Sequence, residues 1–207
     1  GKDFGVLTNS GSSANLLMIT ALSSRRLYNL PKGSKIITPV AGFPTTINPI
    51  IQNGYEPVFI DIELETLNLN IEQLEAAAKA GASALIFAHV LANPPNMDDV
   101  MRIVNQYGLI LIEDCCDALG SHYDGKKIGS FGELASCSFY PAHHMTMGEG
   151  GFVACKTKEQ ETIIKSFREW GRGCYCSGKA ASCLKNGMCK KRFNNWLPLL
   201  PDEIVDH

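Results

Sequence analysis

The chain lacks any apolar run of about 18 residues, the length a membrane-crossing helix needs. It also lacks a basic opening followed by a short apolar stretch, so neither a transmembrane helix nor a signal peptide is expected. An excess of either charge is lacking: 19 Lys and Arg against 21 Asp and Glu leave a net charge of −2, which gives no basis for binding nucleic acid or a membrane surface. There is no initial Met. The chain begins at Gly1, directly in front of a strand-like segment, and stops at Asp206-His207 without a closing element, which reads as a piece of a longer protein. What is present is an apolar content of 45%, enough for one sizeable core with room for a second small unit. The expected setting is soluble and cytoplasmic.

Taken in order, residues 5–8 read as a short strand. Residues 9–15, Asn-Ser-Gly-Ser-Ser-Ala-Asn, then open a helix through about residue 27, with Ala14, Leu17, Met18, Ala21 and Leu22 at helical spacing. Small hydroxyl residues at a helix start after a strand suit an anion, because free N–H groups and the positive end of the helix dipole point outward there. The plainer reading is that Ser10 or Ser12 simply caps the helix. Strands are expected at 35–38, 57–61 and 84–88, and helices from Gly42-Phe43-Pro44 through about 52, at 71–80 and at 97–107. A lone phenylalanine such as Phe43 is ordinarily core.

Residues 109–114, Leu-Ile-Leu-Ile-Glu-Asp, form a near-continuous apolar run, the mark of a central parallel strand buried on both faces, and the run ends on acids. Carboxylates at the carboxyl end of a central strand lie where open α/β sheets bind ligands, and a buried one needs a cationic partner. Asp114 could also be an N-cap for the segment after it. A strand at 151–155 and an amphipathic helix at 158–170, with Ile163, Ile164, Phe167 and Trp170 on its apolar side, close the regular part. Six or seven strands alternating with helices, without internal repeat, predict an α/β domain: a mostly parallel sheet with helices on both faces.

Between these elements lies Ser136-Cys137-Ser138-Phe139-Tyr140-Pro141-Ala142-His143-His144-Met145-Thr146-Met147-Gly148-Glu149-Gly150-Gly151, a short strand running into a loop that ends on glycines. Ser138 offers a hydroxyl at a strand end, His143 and His144 offer imidazoles, and the glycines let backbone come close to a ligand. Eight cysteines in a chain of intracellular type favour metal or redox roles over disulfides. Cys137 and Cys155 sit in strand-like apolar context and read as buried packing residues. Cys174-Tyr175-Cys176, Cys183 and Cys189 cluster where composition turns to Gly, Ser, Cys and Lys. Such thiolates, without histidine at ligand spacing, could hold zinc or an iron–sulfur centre.

The 136–151 segment resembles the cofactor-lysine segment of the DegT/DnrJ/EryC1/StrS sugar aminotransferases, the branch of fold-type I pyridoxal phosphate enzymes that works on nucleotide-linked keto-sugars. His143 stands at the lysine position, and imidazole does not condense with the cofactor aldehyde as an amine does. Within that family, Tyr-Pro-Ala-His-His-x-Thr-Met-Gly-Glu-Gly-Gly is most similar to the CDP-4-dehydro-6-deoxyglucose 3-dehydratases. These use pyridoxamine 5′-phosphate in place of lysine-bound pyridoxal phosphate. The resemblance implies a fold-type I large domain, a cofactor phosphate held by Gly11, Ser12, Ser13 and Ala14, and a ring stacked by Phe43. It further implies a ring nitrogen paired with Asp114, contacts from Asp117 and Ser138, and His143 as the base. His89, at a strand end, is expected to face the same crevice.

The same resemblance implies a 2Fe–2S cluster on four cysteines. Cys116 lies 58 positions before Cys174, as the family spaces its first two ligands, and Cys176 comes third. For the fourth, the family leaves one residue more than the six that separate Cys176 from Cys183, whereas twelve separate Cys176 from Cys189. Cys189-Lys190-Lys191-Arg192-Phe193 matches the family's flank, so Cys189 is preferred, with the extra length absorbed by the loop. The organisation expected is a cofactor-binding domain over 1–170, incomplete at its start, a cluster-binding insertion over 171–193, and the beginning of a link to a missing region over 194–207. A flavin-containing iron–sulfur reductase and a homodimer are the implied partners. A cluster-free dehydratase acting on a GDP-sugar, an ordinary aminotransferase, and a zinc-organised binding module remain the alternatives.

Overall fold

The structure, a computed structural model, describes residues 1–171. Its centre is a seven-stranded sheet built from β1 (Phe4–Thr8), β2 (Lys35–Pro39), β3 (Glu56–Ile60), β4 (Ala84–Ala88), β5 (Ile110–Asp114), β8 (Leu134–Ser138) and β9 (Gly151–Cys155). The spatial order is β1-β9-β8-β5-β4-β2-β3. Of the seven, β9 alone runs against its neighbours, pairing antiparallel with both β1 and β8, while β8, β5, β4, β2 and β3 are mutually parallel. A small hairpin of β6 (His122–Tyr123) and β7 (Lys126–Lys127) stands apart.

Strand alternation divides the core into two layers. Ile36, Ile86 and Ile112 pack on one face against Ala14, Met18 and Ile19 of α1 (Gly11–Ala21), Ile50 of α2 (Pro44–Gln52) and Ile164 of α5 (Lys158–Arg168). Their sequence neighbours Ile37, Phe87 and Leu111 pack on the other, against Leu74 of α3 (Ile71–Lys79) and Met97, Val100 and Ile103 of α4 (Met97–Tyr107). Helices on both faces explain why β4 and β5 carry almost no polar residue until their carboxyl ends. Helix ends are chemically marked. Ser10 caps α1, Asn70 caps α3, Asn96 caps α4, and Thr157 with Gln160 forms a capping box on α5.

The expected fold class therefore stands, with local differences. α1 ends at Ala21, not near residue 27, because the chain turns back at Ser24. The Ser24 carbonyl accepts the N–H groups of Leu27, Tyr28 and Asn29. Leu27, Tyr28 and Leu30 still pack on the core, so their apolar spacing mimicked a longer helix. α5 closes at Arg168, and Trp170, expected on its apolar side, has φ +60° and is 74% exposed. The hairpin was not anticipated, although Asp124-Gly125, both at positive φ, is the two-residue turn such hairpins favour. Among the described residues no helix is long and apolar enough to cross a membrane.

Ile103 is fully buried between α4 and the sheet, away from the strand ends. Ile103→Ala is expected to lower the stability of the intact protein by about 2–5 kcal/mol. Urea denaturation checks this, and a loss under roughly 0.5 kcal/mol would contradict the packing described.

Candidate active site

The carboxyl ends of the parallel strands converge with the N-termini of α1 and α2 on one edge of the sheet, the crevice where open α/β sheets bind ligands. At its floor lies Asp114, the last residue of β5, only 3% exposed. Its Oδ2 accepts hydrogen bonds from Asn15 Nδ2 at 2.8 Å and Thr46 Oγ1 at 2.7 Å. Its Oδ1 accepts from the Cys116 N–H and from Ser136 Oγ, each at 3.2 Å. A carboxylate so enclosed is held by donors from two helices and an adjacent strand, which is what makes its burial tolerable.

Gly11, the first residue of α1, abuts the ends of β5 and β8. A Cβ there would lie 2.7 Å from both Cys116 Sγ and Ser138 Cβ, so glycine is what lets the helix tip reach this depth. Ser10 Oγ accepts the Ser13 N–H at 3.0 Å, and Ser12 Oγ donates to Thr45 Oγ1 at 3.2 Å, joining the first turns of α1 and α2. Phe43, the residue before α2, is 64% exposed. It does not pack into the core as an isolated phenylalanine ordinarily would. Gly11, Ser12, Ser13, Ala14, Asp114, Cys116 and Ser138 are thus gathered around the meeting point of α1, β5 and β8.

The loop after β8 is drawn together at its base, where the Phe139 N–H donates to the Gly150 carbonyl and the Met147 N–H to the Phe139 carbonyl. Ser138 Oγ accepts the Tyr140 N–H. His143 Nδ1 lies 3.1 Å from Asp117 Oδ1, with the imidazole side chain 22% exposed, and the Tyr140 ring stands edge-on to it at 6.2 Å. His144 is exposed. In the neutral imidazole, an Asp117 carboxylate as acceptor places the ring proton at Nδ1 and leaves the lone pair at Nε2.

Two expectations require correction. His89 does not face the crevice. It is fully buried, with Nε2 3.2 Å from Glu113 Oε2 and its ring 4.8 Å from that of Phe87. Adjacent strand residues point to opposite faces, so Glu113 turns away from Asp114. It accepts the Gly129 and Gly132 N–H groups at 2.9 and 2.7 Å, and Lys2 Nζ lies 3.9 Å off. Burial by itself would raise the Glu113 carboxyl, but His89, the Gly132 N–H and Lys2 together hold it below the usual range. His89, Glu113 and Cys115 have ligand-type atoms within 4.8 Å of one another. The Glu113 oxygens are already spent on the Gly129 and Gly132 N–H groups, and the Lys2 ammonium opposes a cation there, so Glu113 serves to tie down the 129–132 loop. Cys137, expected buried, is half-buried and lines a cavity of about 320 Å³ with Met145 and Phe152.

Cys116 is the one member of the expected cluster set among the described residues; Cys174, Cys176, Cys183 and Cys189 lie outside them. Burial first, and the neighbouring Asp114 second, push its thiol well above the ordinary range. Asn15, Thr46 and Ser136 were not foreseen as site residues. The available signal was an asparagine on the buried face of an otherwise apolar helix, a hydroxyl in the first turn of α2 and another within β8.

A serine-capped, glycine-led helix tip beside a buried carboxylate at the end of the central strand, on a sheet of this order, is the architecture of the large domain of the fold-type I pyridoxal phosphate enzymes. The chain belongs to the DegT/DnrJ/EryC1/StrS aminotransferase family, whose model matches residues 1–185. It is 52% identical over 202 residues to the lipopolysaccharide biosynthesis protein RfbH of Salmonella typhimurium, covering 97% of this chain and 45% of that protein. It is 46% identical over 197 residues to dTDP-4-dehydro-2,6-dideoxy-D-glucose 3-dehydratase of Saccharopolyspora spinosa, covering 94% and 42%. Among solved structures, Escherichia coli GDP-4-keto-6-deoxy-D-mannose-3-dehydratase with bound hydrated pyridoxal phosphate superimposes with a TM-score of 0.78 at 36% identity, over 81% of this chain and 43% of that one. The chain spans under half the length of these relatives.

Gly11→Ala is expected to force Cys116 and Ser138 aside, lowering stability by about 1–3 kcal/mol and weakening binding of the pyridoxal phosphate-type cofactor. Urea denaturation and a fluorescence titration of the cofactor check both. Wild-type values in each would refute the close approach.

Proposed function

We propose that the protein is a nucleotide-sugar 3-dehydratase that removes the 3-hydroxyl of a CDP-linked 4-keto-6-deoxyhexose, with pyridoxamine phosphate as cofactor and a 2Fe–2S cluster as electron relay. The observation that carries this reading is the imidazole of His143, backed by Asp117, in the loop where the sugar aminotransferases carry a lysine. That substitution removes the covalent tether and leaves a proton-transfer group.

The described residues fit the cofactor. The N-terminus of α1, with Gly11, Ser12, Ser13 and Ala14, would take its phosphate. Asp114 would pair with the ring nitrogen, Phe43 would lie on the ring, and Ser138 and Asp117 would border it. Bound there, the cofactor would supply a conjugated electron sink. His143 Nε2 would be the base for a proton at the cofactor methylene, a role suited to an imidazole, while Asp117 would fix its tautomer and stabilise the imidazolium. Replacing the 3-hydroxyl by hydrogen would take two electrons and two protons in all, with the hydroxyl leaving as water.

Cys116, Cys174, Cys176 and Cys189 would hold the cluster. Four thiolates are the donor set of a 2Fe–2S centre, whose chemistry is one-electron transfer. A flavin-containing iron–sulfur reductase would supply the electrons, and the active unit would be a homodimer. The product, a 3,6-dideoxy-4-keto sugar, suits lipopolysaccharide O-antigen assembly. The name of the Salmonella relative supports that setting, and the 3-dehydratase names of the others support the reaction.

His143→Asn in the anaerobically prepared intact protein is expected to lower C3 deoxygenation by at least about a hundredfold. The paramagnetic resonance signal of the reduced cluster should remain. Unchanged turnover would remove His143 as the base. A wild-type protein with turnover but no cluster signal would point to the cluster-free mechanism.

A further inference from the structure

Resting on the reading that Asp114 meets the ring nitrogen, we propose that Asn15 and Thr46 are positioning residues that lock the Asp114 carboxylate so that Oδ1 is the oxygen offered to that nitrogen. The two oxygens of Asp114 are unequally held. Oδ2 receives the short bonds, 2.8 Å from Asn15 Nδ2 and 2.7 Å from Thr46 Oγ1. Oδ1 receives two longer ones of 3.2 Å, from the Cys116 N–H and Ser136 Oγ. The Ser136 hydroxyl is a rotor, and it has a second neighbour in Cys116 Sγ at 3.8 Å, so it can turn from Oδ1 when another donor arrives. Each carboxylate oxygen has about two lone-pair directions. Oδ2 has both filled by firm donors, and Oδ1 keeps one that can be vacated.

Asn15 carries a second, independent mark. It is 1% exposed on a helix face otherwise made of Gly11, Ala14, Met18 and Ile19, and its Oδ1 is buried without a hydrogen-bond partner among the described residues. Reversing the amide would set that oxygen against Asp114 Oδ2, so the orientation is dictated by the carboxylate. An apolar side chain would fill this place on α1 without leaving a buried carbonyl unpaired, a loss that structures accept mainly at functional sites. What the asparagine adds is its N–H donation. Asn15 stands one turn into the helix whose tip carries Gly11, Ser12 and Ser13, and Thr46 is in the first turn of α2, which Ser12 and Thr45 tie to that tip. The clamp therefore sets the ring-nitrogen partner at a fixed separation from the phosphate cradle.

The test compares two ligands in the intact protein: pyridoxamine phosphate, and the analogue in which the ring nitrogen is replaced by C–H. The readout is the ratio of their dissociation constants. The wild type is expected to prefer the natural cofactor. Thr46→Val should cut that preference about tenfold, since a hydrogen bond to a charged group is lost. Thr46→Ser, which keeps the hydroxyl, should retain it. Asn15→Leu should lower the preference as Thr46→Val does, and it carries the test should Thr46→Val not fold. Undiminished preference in Thr46→Val, or equal weakening of both ligands, would overturn the clamp while leaving the role of Asp114 intact. A wild type that binds both ligands equally would instead dismiss the pairing of Asp114 with the ring nitrogen.

Discussion

A buried carboxyl group at the carboxyl end of the central strand is the constraint around which this domain is arranged. Asp114 has lost its water, and an unsolvated carboxylate persists only where donors surround it. Those donors come from α1, from α2, from β8 and from the backbone just past β5. The two helices, the two adjacent strands and the turn after β5 must therefore meet at one point. Gly11 is part of the same solution, because only a residue without a side chain brings α1 close enough for Asn15 to reach.

The neighbouring acid shows how strictly the strand period operates. Glu113 and Asp114 are consecutive and both buried, yet they serve opposite faces. Asp114 opens to the crevice, whereas Glu113 gathers His89, Lys2 and the N–H groups of Gly129 and Gly132 into a closed set. One acid is structural because its oxygens are already occupied by fixed partners. The other is suited to ligand because one of its oxygens is held loosely.

Much of the layering was legible in the chain. β4, β9 and α4 fall where their apolar patterns placed them, and β5 was marked by a continuous apolar run ending on acids. The departures share a cause. Apolar residues at helical spacing said that 22–30 packs on the core, but not that it does so as a turn closed on the Ser24 carbonyl. Residue type alone would place Phe43 in the core, and only the resemblance set it against a ring, because a residue type does not say whether any partner stands opposite. His89 sat at the right strand end, but the side on which it lies depended on Glu113, 24 positions away.

By itself the sequence determined the alternation of strands and helices, the apolar centre, the glycine-led helix tip, the acid at the end of β5 and the imidazole at 143, because each is written in residues that lie next to one another. Only the tertiary structure decided which polar groups share a carboxylate. Asn15 and Thr46 reach Asp114 across 99 and 68 positions, and His143 finds Asp117 only after β8 has been laid beside β5. Spacing along a chain carries no record of such meetings. The order of strands in the sheet, which sets what is adjacent, is a property of the packed whole.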